Sequence, residues 1–175
     1  MNRHAIPINL CDIPAFRLWE QWFLLTSGDF AAGQYNPMTV SWGFMGIIWN
    51  RPVVQVVVRP TRHTYAFIEK YPDFTLCAFP DSCRSVLSML GVKSGRDMDK
   101  IKASGLTPLP SSRVAAPSYA EAELVLECRK IYFDDLNPPA FLADYIAPEY
   151  KNDFHRVYYG EILAIEGTSS YRRKI

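Results

Sequence analysis

Two short segments of the chain carry side chains that could hold a flat ring with a phosphate tail. The first, Asn36-Pro37-Met38-Thr39-Val40-Ser41-Trp42, places an amide, two hydroxyls and an indole along one extended stretch. The second, Arg59-Pro60-Thr61-Arg62-His63-Thr64-Tyr65, places cations and hydroxyls where an apolar strand ends and a helix is expected. A ring can stack on the indole and bond along the first segment, and the second offers charged donors to a phosphate.

The second segment suits a phosphate because a helix amino terminus has free amides and a dipole that favours negative charge. Thr61, Arg62, His63 and Thr64 are expected at those amides. The same residues allow a structural alternative, in which Thr61 only caps the helix while Arg62 and His63 are solvated. Residues 93–100 offer further cations, and their alternative is a capped helix with acidic residues in its first turn.

The first segment and Arg59 also have ordinary alternatives. Asn36-Pro37 is a common turn sequence, and Trp42 is typical of a core residue. Arg59, at a strand end, could be a surface charge. These residues alone therefore leave a ligand site and a purely structural role both open.

The rest of the pattern predicts the elements that would position these groups. Runs of β-branched and aromatic residues predict six strands, at residues 22–26, 38–44, 53–58, 74–79, 123–133 and 156–166. The first two form a hairpin with Gly33 and Asn36-Pro37 in its turn. The apolar run at 53–58 indicates a strand covered on both faces, and the alternation at 123–133 indicates a strand with one solvent-exposed face.

Helices are expected between these strands. They are predicted after Thr61 with Tyr65, Ile68 and Tyr71 on the buried side, from Asp81 or Ser82 to Gly91, at residues 94–102 ended by Gly105, and at residues 140–146. Residues 107–118 are expected to form a surface loop. A mainly β fold with inserted helices, a mixed antiparallel barrel and not a doubly wound sheet, is predicted.

Composition narrows the class of protein. The 175 residues are expected to form a single domain spanning 1–175. A net charge of +1 with interspersed acids gives no sign of a nucleic-acid partner. The four cysteines lack metal-site spacing, so we expect reduced thiols and no metal. No secretory signal or membrane-length apolar run is present, so no membrane association and a cytoplasmic location are expected.

Neither a G-x-G-x-x-G nor a G-x-x-x-x-G-K-[ST] sequence occurs, so any nucleotide site must be built differently. The two opening segments are followed by Ser94-Gly95-Arg96-Asp97 with Asp99-Lys100, and by Gly105-Leu106-Thr107. In this order the segments resemble the flavin reductase-like family, including the flavoredoxins. The resemblance covers residues 24–165.

The resemblance implies an FMN-binding split β-barrel of the antiparallel Greek-key type, and a homodimer with the flavin near the subunit interface. It implies that the isoalloxazine ring lies along Asn36, Met38, Thr39 and Trp42, with the Ser41 hydroxyl in the same segment. The implied ribityl phosphate contacts are Arg59, Thr61, Arg62, His63 and Thr64, with Lys100 as a further FMN contact. Leu90 stands where many relatives have cysteine, so no thiol chemistry carries over.

The implied activity is that of an FMN-dependent oxidoreductase. Hydride would pass from NADH or NADPH to the flavin, or electrons would pass through bound FMN to or from another redox protein. No catalytic residue is required for the hydride step; His155 is a candidate on the substrate face, with a packed histidine at a strand start as its alternative. Two other interpretations remain: an FMN-binding sensor or storage module, and a structural dimer without ligand.

Overall fold

The computed structural model describes residues 1–174. Its strands are β1 (His4–Ala5), β2 (Phe23–Asp29), β3 (Gln34–Val40), β4 (Gly43–Ile48), β5 (Arg51–Val58), β6 (Asp73–Ala78), β7 (Pro108–Leu109), β8 (Ser118–Tyr119), β9 (Leu124–Asp135) and β10 (Arg156–Gly167). Its α-helices are α1 (Ala15–Gln21), α2 (His63–Lys70), α3 (Arg84–Val92) and α4 (Lys100–Ser104). Short 3-10 turns lie between several of them. None of the helices within the described part is long and apolar enough to cross a membrane.

Eight strands form one sheet in which every pairing is antiparallel. The order is β3-β2-β6-β9-β10-β5-β4, with β1 paired to β10. The mainly β, antiparallel prediction is therefore confirmed. The predicted closure into a barrel is not seen, because no pairing among residues 1–174 joins the two end strands, β3 and β4.

The hairpin of β2 and β3 begins the sheet and carries the first candidate segment. Its register pairs Ser27 with Asn36 and Leu25 with Met38. Asn36 and Pro37, which we expected in the turn, lie inside β3 instead. The sheet tolerates Pro37 because β3 is an edge strand, where a missing N–H donor faces no neighbour.

Several other elements differ in part from the boundaries predicted from the sequence. The predicted strand at 38–44 is two strands, β3 and β4, because Ser41 and Trp42 leave the ladder. Gly105 ends α4 in the left-handed conformation, with φ of 70°, as predicted. Helix α4 starts later than predicted, at Lys100, where the Asp99 carboxylate accepts from the Lys102 amide at 3.0 Å. Residues 140–146, expected to form an α-helix, do not form one: Ala140 ends the 3-10 turn Pro138–Ala140, and a second 3-10 turn, Ala147–Glu149, follows.

The solvent-exposed face predicted for β9 is wrong over its first half. Residues 124–128 are all buried, including Glu127 with 1% of its surface exposed. Residues 107–118, predicted to be a surface loop, cover this face; they include β7, and residues 116–118 are buried. The Glu127 carboxylate accepts from the Ser112 amide and hydroxyl at 3.0 Å and from the Arg113 amide at 2.6 Å. The loop thus replaces water with hydrogen bonds to a buried carboxylate.

Candidate functional site

The amino terminus of α2 and the edge strand β3 come together through Asn36. The Asn36 side-chain amide donates to the Thr64 hydroxyl at 2.6 Å and to the Pro37 carbonyl at 3.1 Å. Arg62 is the N-cap residue of α2, and no side chain caps this helix. Thr61 therefore lacks the capping role expected for it, and the first amides of α2 remain available to a ligand.

A pocket of about 100 Å³ opens at this helix terminus. We call it the cationic pocket; its lining residues are Asn36, Met38, Thr61, Arg62, His63, Thr64, Val92, Lys93, Ser94, Gly95, Arg96 and Lys100. Five of these side chains can carry positive charge. Within residues 1–174 none of the five forms an ion pair with a carboxylate. Such a pocket favours an anionic ligand.

Two of these cations are held by the carboxyl end of α3. Lys100 is buried, and its ammonium group donates to the Leu90 carbonyl at 2.7 Å. The Arg62 guanidinium donates to the Gly91 carbonyl. Carbonyls in the last turn of a helix have no partner within the helix, so both contacts satisfy otherwise open acceptors. Each contact uses one N–H group and leaves the others of that side chain for a ligand.

Burial and mutual repulsion shift the pKa values of these groups. The pKa of Lys100 is lowered to about 8 by burial and, secondarily, by Arg62. The pKa of His63 is lowered by burial and by the charges of Arg96 and Lys100. Asp97 opposes the shift in the pKa of His63 without cancelling it. An anion in the pocket would reverse both shifts.

A second pocket of about 200 Å³ adjoins the first and shares Met38 with it. We call it the ring pocket; its lining residues are Met38, Thr39, Val40, Ser41, Trp42, Val57, Arg59 and His155. Trp42 is 44% exposed, so its indole face is accessible to a ligand and Trp42 is not a core residue. Thr39 has its hydroxyl engaged with the Leu87 carbonyl at 2.5 Å, which attaches β3 to α3.

Arg59 lies in the ring pocket and not with the other predicted phosphate contacts. Its guanidinium donates to the Asp153 carboxylate at 2.8 Å and to the Glu149 carbonyl at 2.9 Å, and it lies 5.0 Å from the center of the Tyr150 ring. His155 is buried beside it, with its ring 5.3 Å from that of Trp42.

All twelve candidate residues from the sequence line one of these two pockets. Lys93, Gly95 and Arg96 also line the cationic pocket. Their segment, residues 93–100, is predicted from the sequence as a further source of cations, but only Lys100 from it is a predicted site residue. The signal for them was the cluster of cations around a glycine in that segment. Any other residue at position 95 would force Asn36 or His63 to move, because a Cβ atom would lie 2.1 Å from the Asn36 side-chain oxygen and 2.9 Å from the His63 ring.

Comparison with known proteins agrees with this architecture. The family model described as flavin reductase like domain matches residues 17–172. The chain belongs to the flavin reductase-like family. This flavin reductase-like chain resembles flavoredoxin of Desulfovibrio vulgaris (Miyazaki F), with a TM-score of 0.66 and 23% identity over 85% of this chain and 70% of that one.

Two further structures share the fold of this flavin reductase-like chain. An FMN-binding domain of a flavin reductases-like enzyme from Shewanella baltica OS155 gives a TM-score of 0.68 at 18% identity, covering 95% of this chain and 77% of that one. A structure from Shewanella frigidimarina NCIMB 400, described as having a split barrel domain, gives 0.65 at 21% identity, covering 83% and 65%. At these identities the likeness concerns the fold.

The pKa of Lys100 predicts how affinity for a phosphate ligand depends on pH. The charged ammonium binds the anion, and a bound anion raises the pKa of Lys100 above its value of about 8 in the free protein. Titration of Lys100 should therefore leave the affinity for a phosphate ligand such as FMN constant well below pH 8. The affinity should fall as the pH rises beyond 8, by up to about tenfold per unit. Flavin fluorescence titrations between pH 7 and 9.5 measure this. Lys100→Met should show weaker binding without this fall; an equal fall in the variant would contradict the assignment.

Proposed function

We propose that the chain binds FMN and works as an oxidoreductase, by hydride transfer from NADH or NADPH to the flavin or by electron transfer through it. The observation that carries the proposal is the junction of the two pockets at Met38. One pocket offers cations and a helix terminus, and the other offers an accessible indole and hydroxyls. That combination fits a ring joined to a phosphate. The FMN-binding domain from Shewanella baltica supports the same ligand class.

The residues present fit this cofactor. The cationic pocket contains cations without carboxylate partners within the described part of the chain, and Lys100 among them is buried, which is costly unless an anion compensates the charge. Gly95 allows the backbone of its segment to come close to Asn36 and His63. In this proposal Arg62, His63, Lys100 and Arg96 hold the phosphate.

The ring pocket orients the other end of the ligand. Ser41 and Trp42 leave the ladder of β3, so their amides and carbonyls can bond the edge of a ring, and Trp42 can cover one face of it. FMN, when bound, supplies the electron chemistry, and the chain supplies binding, orientation and charge. The proposal includes the split barrel that the resemblance implies, since the structure from Shewanella frigidimarina is described as having a split barrel domain.

Two spectra test the proposal. Titration of the purified protein with FMN should shift the flavin's visible absorbance and quench its fluorescence, and failure to bind would refute the proposal. Anaerobic addition of NADH or NADPH to the complex should then bleach the visible band. Bleaching with neither would exclude the reductase. Reduction of the bound flavin by a candidate redox protein, with dithionite as the positive control, would then support electron transfer. A bound flavin that no physiological donor reduces would indicate a sensor or storage module.

We also propose that the protein is a homodimer, as the resemblance implies. Phe44, Trp49, Tyr132 and Tyr159 form an aromatic face, with ring centers 5.5 to 6.2 Å apart. Phe44, Trp49 and Tyr132 are 55%, 58% and 45% exposed, although large apolar side chains in a cluster are costly in water. A second copy of the chain would cover them.

Trp49 provides the test of the dimer. It lies in the two-residue turn between β4 and β5 with φ of 52°, a left-handed conformation that favours glycine and costs a tryptophan energy. Trp49→Gly relieves this strain while removing the exposed indole. We expect the variant to fold and to sediment as a monomer at concentrations where the parent sediments as a dimer. A monomeric parent, or a variant dimer as tight as the parent, would contradict the interface.

A further inference from the structure

Tyr150 and His155 form a hydrogen-bonded pair at the ring pocket that the proposed function does not use. The Tyr150 hydroxyl lies 3.0 Å from Nδ1 of His155. His155 is 8% exposed and lines the ring pocket beside Trp42. Of its two ring nitrogens, Nδ1 is thus engaged by Tyr150, and Nε2 is the one left for a ligand.

The His155 ring is neutral at physiological pH. Its pKa is lowered to about 4 by burial and by the charge of Arg59, which outweigh the opposing effect of Asp153. Arg59 is itself neutralised in part by its ion pair with Asp153. A neutral imidazole has one donor nitrogen and one acceptor nitrogen, so the Tyr150 bond decides what Nε2 offers.

Tyr150 is the natural donor of this pair. Its pKa is raised by burial, so its phenol keeps its proton, and a phenol donates more readily than it accepts while an imidazole nitrogen is a strong acceptor. When the hydroxyl donates to Nδ1, the ring proton lies on Nε2. In histidine sites, a hydrogen bond to one ring nitrogen commonly determines which nitrogen carries the proton.

Tyr150 is itself held in place from two sides. The Arg59 guanidinium lies 5.0 Å from the center of its ring. The ring of Phe141 stacks at 6.1 Å and that of Phe154 lies at 5.0 Å. Because Asp153 and the Glu149 carbonyl fix Arg59, the phenol has a defined orientation toward His155.

We propose that Tyr150 is a positioning residue that fixes His155 as the Nε2–H tautomer, so that the ring pocket presents an uncharged donor and binds neutral compounds with a carbonyl acceptor. The placement of such a ligand beside a flavin rests on the proposed function. The tautomer and the preference for a carbonyl do not rest on it. An uncharged donor favours a ketone or amide over an analogue that lacks the oxygen, because that analogue would shield the N–H from water without offering it an acceptor.

Nitrogen NMR of the histidine side chains reads the tautomer directly. The chain has three histidines, so the spectrum of the labelled protein is simple, and His155→Phe assigns the signal. We expect Nδ1 of His155 to be unprotonated and Nε2 to be protonated. Tyr150→Phe should mix the two tautomers, whereas Tyr145→Phe, which removes the hydroxyl of a tyrosine that is 75% exposed, should not. A parent protein with the proton on Nδ1 would overturn the proposal.

Ligand binding is measured with acetophenone and with toluene, which lacks the carbonyl, by the shift of the Nε2 signal and by tryptophan fluorescence. Acetophenone should bind more tightly than toluene, and Tyr150→Phe should reduce that preference roughly fivefold. In the His155→Phe background Tyr150→Phe should have no further effect. Equal binding of both compounds, or independent effects of the two substitutions, would overturn the proposal. Affinity for FMN is measured separately, so failure of the proposed function is distinguished from failure of this one.

Discussion

Replacing Arg62 and Lys100 together with alanine should weaken FMN binding by about 100-fold or more. Each charge-assisted contact to the phosphate should contribute roughly 1.5 to 3 kcal/mol, and every 1.4 kcal/mol changes the dissociation constant tenfold. Lys100 is buried in the cationic pocket, and Arg62 is the N-cap residue of α2 in the same pocket. Isothermal titration at pH 7 and constant ionic strength measures the effect.

This experiment needs two controls, a ligand without the phosphate and a variant outside the pocket. Both side chains also bond the end of α3, so the variant could lose affinity through disorder of that helix. Riboflavin, which lacks the phosphate, should bind the double variant and the parent alike if only the phosphate contacts are lost. Lys102→Ala removes a cation from the same helix outside the pocket and should leave FMN affinity unchanged. An equal loss for riboflavin and FMN would contradict the phosphate assignment.

Gly28→Ala should destabilise the fold by about 4 kcal/mol, from backbone strain and steric overlap of about 1 to 3 kcal/mol each. Gly28 lies in β2 with φ of 137°, and a Cβ atom there would be 2.2 Å from the Gln34 carbonyl oxygen and 2.3 Å from the Tyr35 Cα. Both neighbours are backbone atoms of β3, so the hairpin itself must deform. Because that hairpin carries Asn36 and Met38, FMN affinity should fall as well.

Gly33→Ala provides the matched comparison within the same hairpin. Gly33 also has a positive φ, of 64°, but nothing lies within 4 Å of a Cβ placed there. Its cost should be only the left-handed conformation, about 1 to 2 kcal/mol. Urea unfolding of both variants against the parent measures the difference. Similar losses of unfolding free energy in the two variants would show that the contact between β2 and β3 is not the cause.

Elements whose signal is local were predictable from the sequence. The apolar run that forms β5, the strand β10 and the glycine that ends α4 were all placed from their own residues and neighbours. Asn36-Pro37 shows the limit of such reasoning. The pair has a high turn propensity, but it lies in an edge strand, where a proline without an N–H donor is tolerated. The buried Glu127 shows the same limit, since only the loop that folds over it makes a carboxylate acceptable there.

The candidate site was predictable as a set of residues and less so as a geometry. The structure brings the predicted residues to two adjoining pockets, although β3, α2 and α4 are far apart in sequence. Arg59 lies apart from the other predicted phosphate contacts. Its guanidinium binds Asp153 and the Glu149 carbonyl, about ninety residues later in the chain, and these contacts hold it at the ring pocket. Arg96 and Lys93 reach the cationic pocket through the path of the segment between α3 and α4, which no local pattern determines.

The end of α3 serves as a built-in counter-ion for the cationic pocket. A helix carboxyl terminus carries roughly half a negative charge, and its Leu90 and Gly91 carbonyls hold Lys100 and Arg62. A carboxylate in that place would neutralise the two cations and compete with a phosphate for them. The partial charge of the helix end holds the two cations in place without neutralising them. The free-energy cost of ordering their side chains when a ligand binds is therefore lower. The pocket can thus remain both charged and organised before any anion enters it.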